Sequence, residues 1–307
     1  MNLHSLLHAL VVVAVLVSAG MNPSEAADNP QQFRAACEEG DAPSCGTLGW
    51  MYAKGTNVKQ DTGQAALFYR KACDGRFAQG CYNLGVMYEE GTGVRQDTLQ
   101  AITFYRKACD GGEPRGCYNL AAVYSRGTMV PQDNGQALKL YGQACDGGEA
   151  LGCWGLGVMY QQGIDVLQDA GQAAAFYRKA CEGGFMRSCT TLGAMYVTGT
   201  EVPQDAGQAI ALFRKACDGK EWLGCSNLGL RYFDGIGVTQ DTFQAVALFR
   251  KACDGENAIG CASLGLAYHL GKGVRQDDTE ALKYYGKACD LENQLGCDNY
   301  AKLKTGR

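Results

Sequence analysis

The chain is poor in histidine, in net charge and in long apolar stretches, and each shortage excludes a class of function. It has three histidines in 307 residues, and only His269 lies beyond residue 26, which is too few for a histidine-based zinc site. Its 28 Lys and Arg stand against 32 Asp and Glu, a formal net charge of −4, whereas nucleic-acid-binding proteins carry a pronounced basic surface. We therefore expect no metal, no cofactor and no nucleic-acid partner.

The one long apolar run, Leu10 to Ala19, lies near the amino terminus. Its roughly ten residues fall short of the twenty or so that span a bilayer. Ser24-Glu25-Ala26 before Ala27 suits signal-peptide cleavage, and Val17-Ser18-Ala19 is a competing site. No Lys or Arg precedes the run, so an uncleaved anchor is the alternative. We predict a signal peptide over 1–26, a secreted or periplasmic destination, and no stable membrane insertion after cleavage.

The sequence is rich in cysteine, and the cysteines are spaced at strictly regular intervals, which we call the cysteine grid. Sixteen cysteines form pairs separated by eight residues, one pair every 36 residues, and none lies elsewhere. A fixed period of this length indicates stacked supersecondary units, and an even, patterned cysteine count in an exported chain indicates structural disulfides. Pairing within each set is the simplest of many connectivities, and each short bridge would contribute about 2.5 kcal/mol at best. The eight sets are Cys37/Cys45, Cys73/Cys81, Cys109/Cys117, Cys145/Cys153, Cys181/Cys189, Cys217/Cys225, Cys253/Cys261 and Cys289/Cys297.

Each 36-residue copy predicts two helices. In the second copy, apolar residues recur at helical spacing at Leu84, Met87 and Tyr88, and again around Phe104 and Tyr105. We predict a lead-in helix over 27–36, seven repeats over 37–288 and a truncated capping repeat over 289–307.

The residues between the two helices predict how each helix ends and begins. Gly91 and Gly93 follow the first apolar stripe, where a helix ends in a left-handed turn. A Gln-Asp-x-x-Gln/Glu-Ala string comes next, in which an Asp such as Asp61 caps the second helix and Gln64 reaches back as in a capping box. One carboxylate per repeat at a helix start is explained by capping and needs no acid–base chemistry.

The repeated motif Cys-Asp-Gly-x(5)-Cys-x-Asn-Leu-Gly-x-Met-Tyr, continued by Gly-x-Gly-Val-x-Gln-Asp and Tyr-Arg-Lys-Ala, resembles the Sel1-like repeat in the disulfide-bearing form of the Helicobacter cysteine-rich proteins. The resemblance covers residues 37–307. It implies a right-handed αα-solenoid, or superhelix, related to tetratricopeptide arrays, with one disulfide per repeat joining neighbouring helices. It also implies export and two kinds of function: adaptor proteins, and penicillin-binding proteins or weak β-lactamases.

The residues give the β-lactamase implication no catalytic motif, so the catalytic residues are unknown. A serine enzyme of that kind needs Ser-x-x-Lys, which is absent, and Lys304-Thr305-Gly306 stands alone near the end of the chain. Metal-dependent hydrolysis would need more histidine than His269. Cysteine nucleophiles are excluded if all sixteen cysteines are paired.

Binding has firmer support, because some first-helix positions vary between copies. Tyr82, Val86 and Glu89, spaced i, i+4, i+7, occupy a face that changes from repeat to repeat. Across the array this face supplies the groove candidates Trp50, Tyr82, Tyr118, Trp154, Leu230, Phe233 and His269. We predict a groove for an extended peptide or glycan. The alternative is that the large residues fill gaps between repeats, in which case removing Tyr118 and Trp154 would lower stability.

We therefore expect an exported monomeric scaffold, with disulfides, that binds protein, peptide or peptidoglycan fragments through its first helices. The alternative function is a β-lactam-binding protein or weak β-lactamase.

Overall fold

The computed structural model of the protein describes residues 29–127, 130–199 and 202–306. The predicted signal peptide lies outside these residues. The described chain is all α, without a strand, which confirms the predicted fold class. The helices are Pro30–Glu38 (α1), Ala42–Lys54 (α2), Thr62–Asp74 (α3), Ala78–Glu90 (α4), Thr98–Asp110 (α5), Pro114–Arg126 (α6), Asn134–Asp146 (α7), Ala150–Gln162 (α8), Ala170–Glu182 (α9), Met186–Thr198 (α10), Ala206–Asp218 (α11), Trp222–Asp234 (α12), Thr242–Asp254 (α13), Ala258–Leu270 (α14), Asp278–Asp290 (α15) and Gln294–Thr305 (α16).

The chain divides between Leu140 and Tyr141 into two compact units. In both units the even-numbered helices are the first helices of the repeats and the odd-numbered helices from α3 onward are the second helices. In both units consecutive helices pack against each other, as α2 packs against α3 and α12 against α13, and consecutive first helices also touch, as α2 touches α4 and α12 touches α14. The helix α1 overlaps the predicted lead-in helix and extends past it to include Cys37.

The turn between the two helices of a repeat has the glycine conformations that the sequence predicts. Gly91 ends α4 in the left-handed region with φ of 72°. Gly93 has the same φ, and a Cβ at Gly93 would lie 2.2 Å from the Thr62 carbonyl oxygen, so the close approach of the turn to α3 also requires glycine.

The second helices begin with an aspartate cap, as predicted, but Gln64 does not complete the predicted capping box, because the Asp61 amide donates to the Tyr52 carbonyl oxygen at 3.0 Å. The Asp61 carboxylate accepts a hydrogen bond from the Gln64 amide at 2.9 Å, and the other repeats show equivalent caps. The glutamine before the aspartate has a role that the sequence pattern did not reveal. Gln60 Nε2 donates to the Ala53 carbonyl oxygen at 2.9 Å, so it satisfies the end of the first helix.

One disulfide per repeat is present, and each bond joins the end of one helix to the beginning of the next. The Cys73 and Cys81 Cα atoms, for example, lie 4.5 Å apart. Of the many connectivities that sixteen cysteines allow, the structure has the simplest one, in which each set of the grid pairs within itself. The bonds are Cys37–Cys45, Cys73–Cys81, Cys109–Cys117, Cys145–Cys153, Cys181–Cys189, Cys217–Cys225, Cys253–Cys261 and Cys289–Cys297.

Most of these cysteines are core residues, and they do not form part of an exposed site. The second cysteine of each of the first seven sets lies inside a first helix and is buried, whereas Cys297 in the last set is half-buried. No described cysteine is free, so no described thiol is available as a nucleophile or as a ligand contact. The buried second cysteines are Cys45, Cys81, Cys117, Cys153, Cys189, Cys225 and Cys261.

Candidate ligand groove on the first helices

The predicted groove residues occupy three positions of the first helix, one, five and eight residues after the second cysteine. We call these the post-cysteine, middle and late positions. The post-cysteine position holds Gly46, Tyr82, Tyr118, Trp154, Thr190, Ser226 and Ala262.

Side chains at the post-cysteine position contact the residue that caps the next first helix. Trp154 meets Phe185 edge-on, with ring centroids 5.6 Å apart. Thr190 Oγ1 donates to the Glu221 carboxylate at 2.9 Å. Where this position is Gly46, the ring of Phe77 takes the space, because a Cβ there would lie 2.6 Å from it. This position therefore joins one repeat to the next.

Tyr82 lies in the same kind of joint. The Arg115 guanidinium carbon is 4.3 Å from the centre of the Tyr82 ring, and Glu113 holds Arg115 in place through a 2.7 Å contact to Nε. The Tyr82 and Tyr105 rings are 6.1 Å apart. Tyr82, Tyr118 and Trp154 are all half-buried.

The late position pairs with the second helix of the same repeat. The Tyr105 hydroxyl donates to the Glu89 carboxylate, and the Tyr177 hydroxyl donates to Gln161 Oε1 at 2.7 Å. Where the late residue is Phe233, the partner is Phe249, with ring centroids 5.9 Å apart.

Phe233 is only 7% exposed and belongs to the core. The structure therefore does not place Phe233 on an open groove, because its ring packs against Phe249.

Burial changes the acidity of the second-helix tyrosines that lie opposite the late position. Burial raises the pKa of Tyr69 to about 12. Burial also raises the pKa of Tyr105 well above its ordinary value, and the hydrogen bond to Glu89 and the charge of that carboxylate raise it further. Burial and then the charge of Asp278 raise the pKa of Tyr285. Ionisation of these three hydroxyls is therefore disfavoured, and the Tyr105 hydroxyl donates a hydrogen bond to Glu89.

Trp50 and His269 each line a cavity. Trp50, at the middle position, is 47% exposed and lines a cavity of about 190 Å³ with Thr47, Phe77 and Asn83. His269, at the late position, lines a cavity of about 380 Å³ with Leu266, Tyr285 and Asn299. Leu230, at the middle position, is half-buried against the core of its unit.

The asparagines of both cavities are not among the groove residues predicted from the sequence. Asn83 and Asn299 lie two residues after the second cysteine of their repeats and are half-buried. Within the described residues neither side chain forms a hydrogen bond that the structure records. The recurrence of Asn at this place, also in Asn119 and Asn227, was the available signal.

The structure also shows the surroundings of His269 and of the Lys304-Thr305-Gly306 triplet, two sequence features considered above for catalysis. His269 Nδ1 lies 2.8 Å from the Asp278 carboxylate. Thr305 Oγ1 donates to the Ala301 carbonyl oxygen at 2.9 Å, and Lys304 Nζ lies 3.5 Å from the Tyr300 hydroxyl, so both residues are engaged at the end of α16. Among the described residues no group of three or more His, Cys, Asp or Glu could hold a metal ion.

Helix pairs stacked in series, with disulfides between consecutive helices and side-chain joints between repeats, define a repeat scaffold of the αα class. Within that class the chain belongs to the Sel1 repeat family: the family model matches residues 44–76, 78–113, 114–149, 150–185, 187–220, 222–257 and 258–293. This confirms the resemblance in the sequence. The matched repeats begin at the first helix, whereas the predicted repeat boundaries begin at the first cysteine. A comparison with the curated proteins gave no match.

Two solved structures share the fold, and a third resembles part of this chain in sequence. A protective antigen of uropathogenic Escherichia coli that displays an SLR fold is 30% identical, with a TM-score of 0.80 over 88% of this chain and 58% of that chain. This chain therefore spans less than two thirds of that protein. A Sel1 repeat protein from Oxalobacter formigenes is 27% identical, with a TM-score of 0.71 and coverage of 92% and 82%. Helicobacter pylori cysteine-rich protein B is 31% identical over 43% of this chain and 94% of that chain, with a TM-score of 0.36.

The protein is a repeat scaffold of a kind that mediates protein–protein binding. Its disulfides indicate a compartment other than the reducing cytoplasm. Over the described residues, no helix combines the length and the apolar character that a membrane span requires.

Proposed function

We propose that the protein is exported and that its first helices bind an extended peptide segment of a partner protein. The observation that carries this proposal is a repeated juxtaposition. An asparagine amide with no recorded partner and a large apolar side chain line the same cavity, Asn83 with Trp50 in the first unit and Asn299 with Leu266 in the second.

The chemistry of this pair suits a polypeptide. An amide side chain offers both a donor and an acceptor, as a peptide backbone does. The adjacent apolar side chain supplies the surface that buries an alternate side chain of the ligand. At the second cavity Lys302 adds a positive charge and His269 is held by Asp278, so that cavity favours a ligand segment with an acidic residue.

The experiment is a selection of displayed random peptides on the purified, oxidised protein, followed by titration of the selected peptides. The variant Trp50→Ala with Asn83→Ala should weaken peptides that bind the first cavity by at least tenfold. The control variant, Leu99→Ala with Phe243→Ala, removes two apolar side chains that are exposed on second helices and should leave affinity unchanged. Loss of binding in the control alone would contradict the proposal.

The same preparation separates peptide binding from the β-lactam alternative that the family resemblance implies. Steady turnover of a chromogenic cephalosporin that persists through repeated purification would favour the hydrolase. We expect turnover at the level of buffer alone, because the sequence has no Ser-x-x-Lys and no described cysteine is free.

A further inference from the structure

An arginine–tyrosine pair recurs along the array, on residues that line neither of the two cavities. In each pair an arginine on one helix donates a hydrogen bond to the hydroxyl of a tyrosine 18 residues later, on the next first helix. The pairs are Arg34–Tyr52 at 2.5 Å, Arg70–Tyr88, Arg106–Tyr124 at 2.7 Å, Arg178–Tyr196 at 2.5 Å, Arg214–Tyr232 at 2.9 Å and Arg250–Tyr268 at 3.1 Å.

The guanidinium also covers an aromatic stack. Tyr52 and Phe68 stack with ring centroids 5.6 Å apart, and the Arg34 guanidinium carbon lies 6.0 Å from the first ring and 5.4 Å from the second. Arg70 covers its own tyrosine and phenylalanine in the same way. A planar cation that both donates to a hydroxyl and covers aromatic rings is a favourable arrangement specific to guanidinium.

One repeat keeps the aromatic stack and lacks the arginine. Tyr160 and Phe176 stack with ring centroids 5.5 Å apart and an interplanar angle of 21°, but the residue 18 positions before Tyr160 is Gly142. A Cβ placed on Gly142 would meet no atom within 4 Å, so space is open where the arginine side chain would begin. Among the described residues the structure records no hydrogen bond to the Tyr160 hydroxyl.

The surroundings of this stack have also lost positive charge. Leu167 stands where the second repeat has Arg95, which lines a cavity with Arg70 and Tyr88. The remaining cation, Lys179, lies 5.6 Å from the Phe176 ring. A lysine at this distance leaves room for a second cation on the same ring. At the equivalent Phe68, the Arg34 guanidinium and the Lys71 ammonium both lie near the ring, at comparable distances.

We propose that Gly142, Tyr160 and Phe176 form a binding site for a guanidinium group, supplied by an arginine side chain of a partner protein. The incoming arginine takes the place that an internal arginine takes in the other repeats. Its guanidinium donates to the Tyr160 hydroxyl and covers the Tyr160–Phe176 stack. Leu167, which lies in the loop before α9 and is 90% exposed, contacts the apolar part of the partner.

The test is a titration of the full-length, oxidised protein, carrying ring-labelled tyrosine, with methylguanidinium at constant ionic strength, followed by NMR. The Tyr160 signal is assigned as the one that disappears in Tyr160→Phe. We expect a saturable shift of that signal at millimolar probe, and a clearly smaller shift with methylammonium. A glycine-flanked arginine peptide should act as methylguanidinium does, and its lysine counterpart as methylammonium does.

Four variants make the result specific. Gly142→Arg should abolish the response, since the side chain fills the site from within, and Gly142→Leu should abolish it without adding charge, whereas Gly142→Ala should keep it. Arg70→Ala should confer the same response on Tyr88, which is silent in the unaltered protein and keeps its stack with Phe104, with ring centroids 5.5 Å apart. Equal shifts of all tyrosines, a response that survives both blocking variants, or a Tyr88 that stays silent in Arg70→Ala would overturn the proposal. Peptide binding at the Trp50 cavity is measured separately and does not depend on this outcome.

Discussion

Trp154 packs its ring edge-on against Phe185, the residue that caps the first helix of the next repeat, with centroids 5.6 Å apart. The pair belongs to a joint between repeats, where Trp154 also packs against the core around Tyr177 and Leu192. The large side chain at this variable position therefore helps to hold two consecutive repeats together.

We predict that Trp154→Ala lowers the free energy of unfolding by about 2–4 kcal/mol, because it opens a cavity between two repeats. Trp50→Ala is the matched control: its side chain is largely exposed, and we expect a change within about 0.5 kcal/mol. Thermal unfolding followed by circular dichroism, with disulfides intact, measures both. A small loss of unfolding free energy for Trp154→Ala would contradict this packing role and would support the open groove predicted from the sequence.

Two helical glycines of the second unit should respond to alanine with opposite signs. A Cβ at Gly193 would lie 2.6 Å from Phe213, whose ring is buried and has no room to move. We expect Gly193→Ala to destabilise the protein by about 1–3 kcal/mol. A Cβ at Gly142 meets nothing, so Gly142→Ala should stabilise by about 0.5–1 kcal/mol through helix propensity. Denaturant midpoints of the two variants provide the comparison, and equal signs would refute the packing argument.

The repeat architecture could be predicted almost completely, whereas the candidate site could be predicted only in part. Cysteine spacing, helical periodicity and the glycine and aspartate signals are local, so one repeat determines how Gly91 and Asp61 act. The environment of Phe233 or Trp154 depends on a residue 16 or 31 positions away, and no periodicity within a helix reveals that contact. Comparing repeats does reveal part of it, since the partner of the late residue is tyrosine opposite Glu89 and Gln161 and phenylalanine opposite Val197 and Phe233.

The buried tyrosines predict a loss of stability in alkali. Burial raises the pKa of Tyr69 to about 12 in the folded state, while in the unfolded chain it titrates near its ordinary value of about 10. Between these values the unfolded state releases a proton that the folded state keeps, so the stabilisation present below pH 10 is lost as pH rises towards 12.

Tyr69→Phe should flatten this decline, with Tyr300→Phe, near the end of the last helix, as the control. Thermal midpoints between pH 8 and pH 11 decide the matter, and parallel curves for Tyr69→Phe and the unaltered protein would contradict the assignment.

Disulfides that close short loops should contribute modestly and about equally along the array. Each bridge closes a loop of eight residues between consecutive helices, for which loop entropy gives about 2.5 kcal/mol. Cys181→Ala with Cys189→Ala should therefore lower the free energy of unfolding by about that amount, plus a further loss because both sulfurs are buried.

The half-buried pair at the end of the array is the comparison. Cys289→Ala with Cys297→Ala should lose the entropic part and less of the packing part, since this disulfide has fewer neighbours to leave unsupported. Hydrogen exchange resolved by segment would localise each loss to the helices that the missing bond joined. A loss spread evenly over all helices of both units would instead mean that the bridges act on the unfolded chain as a whole, without holding individual helix pairs together.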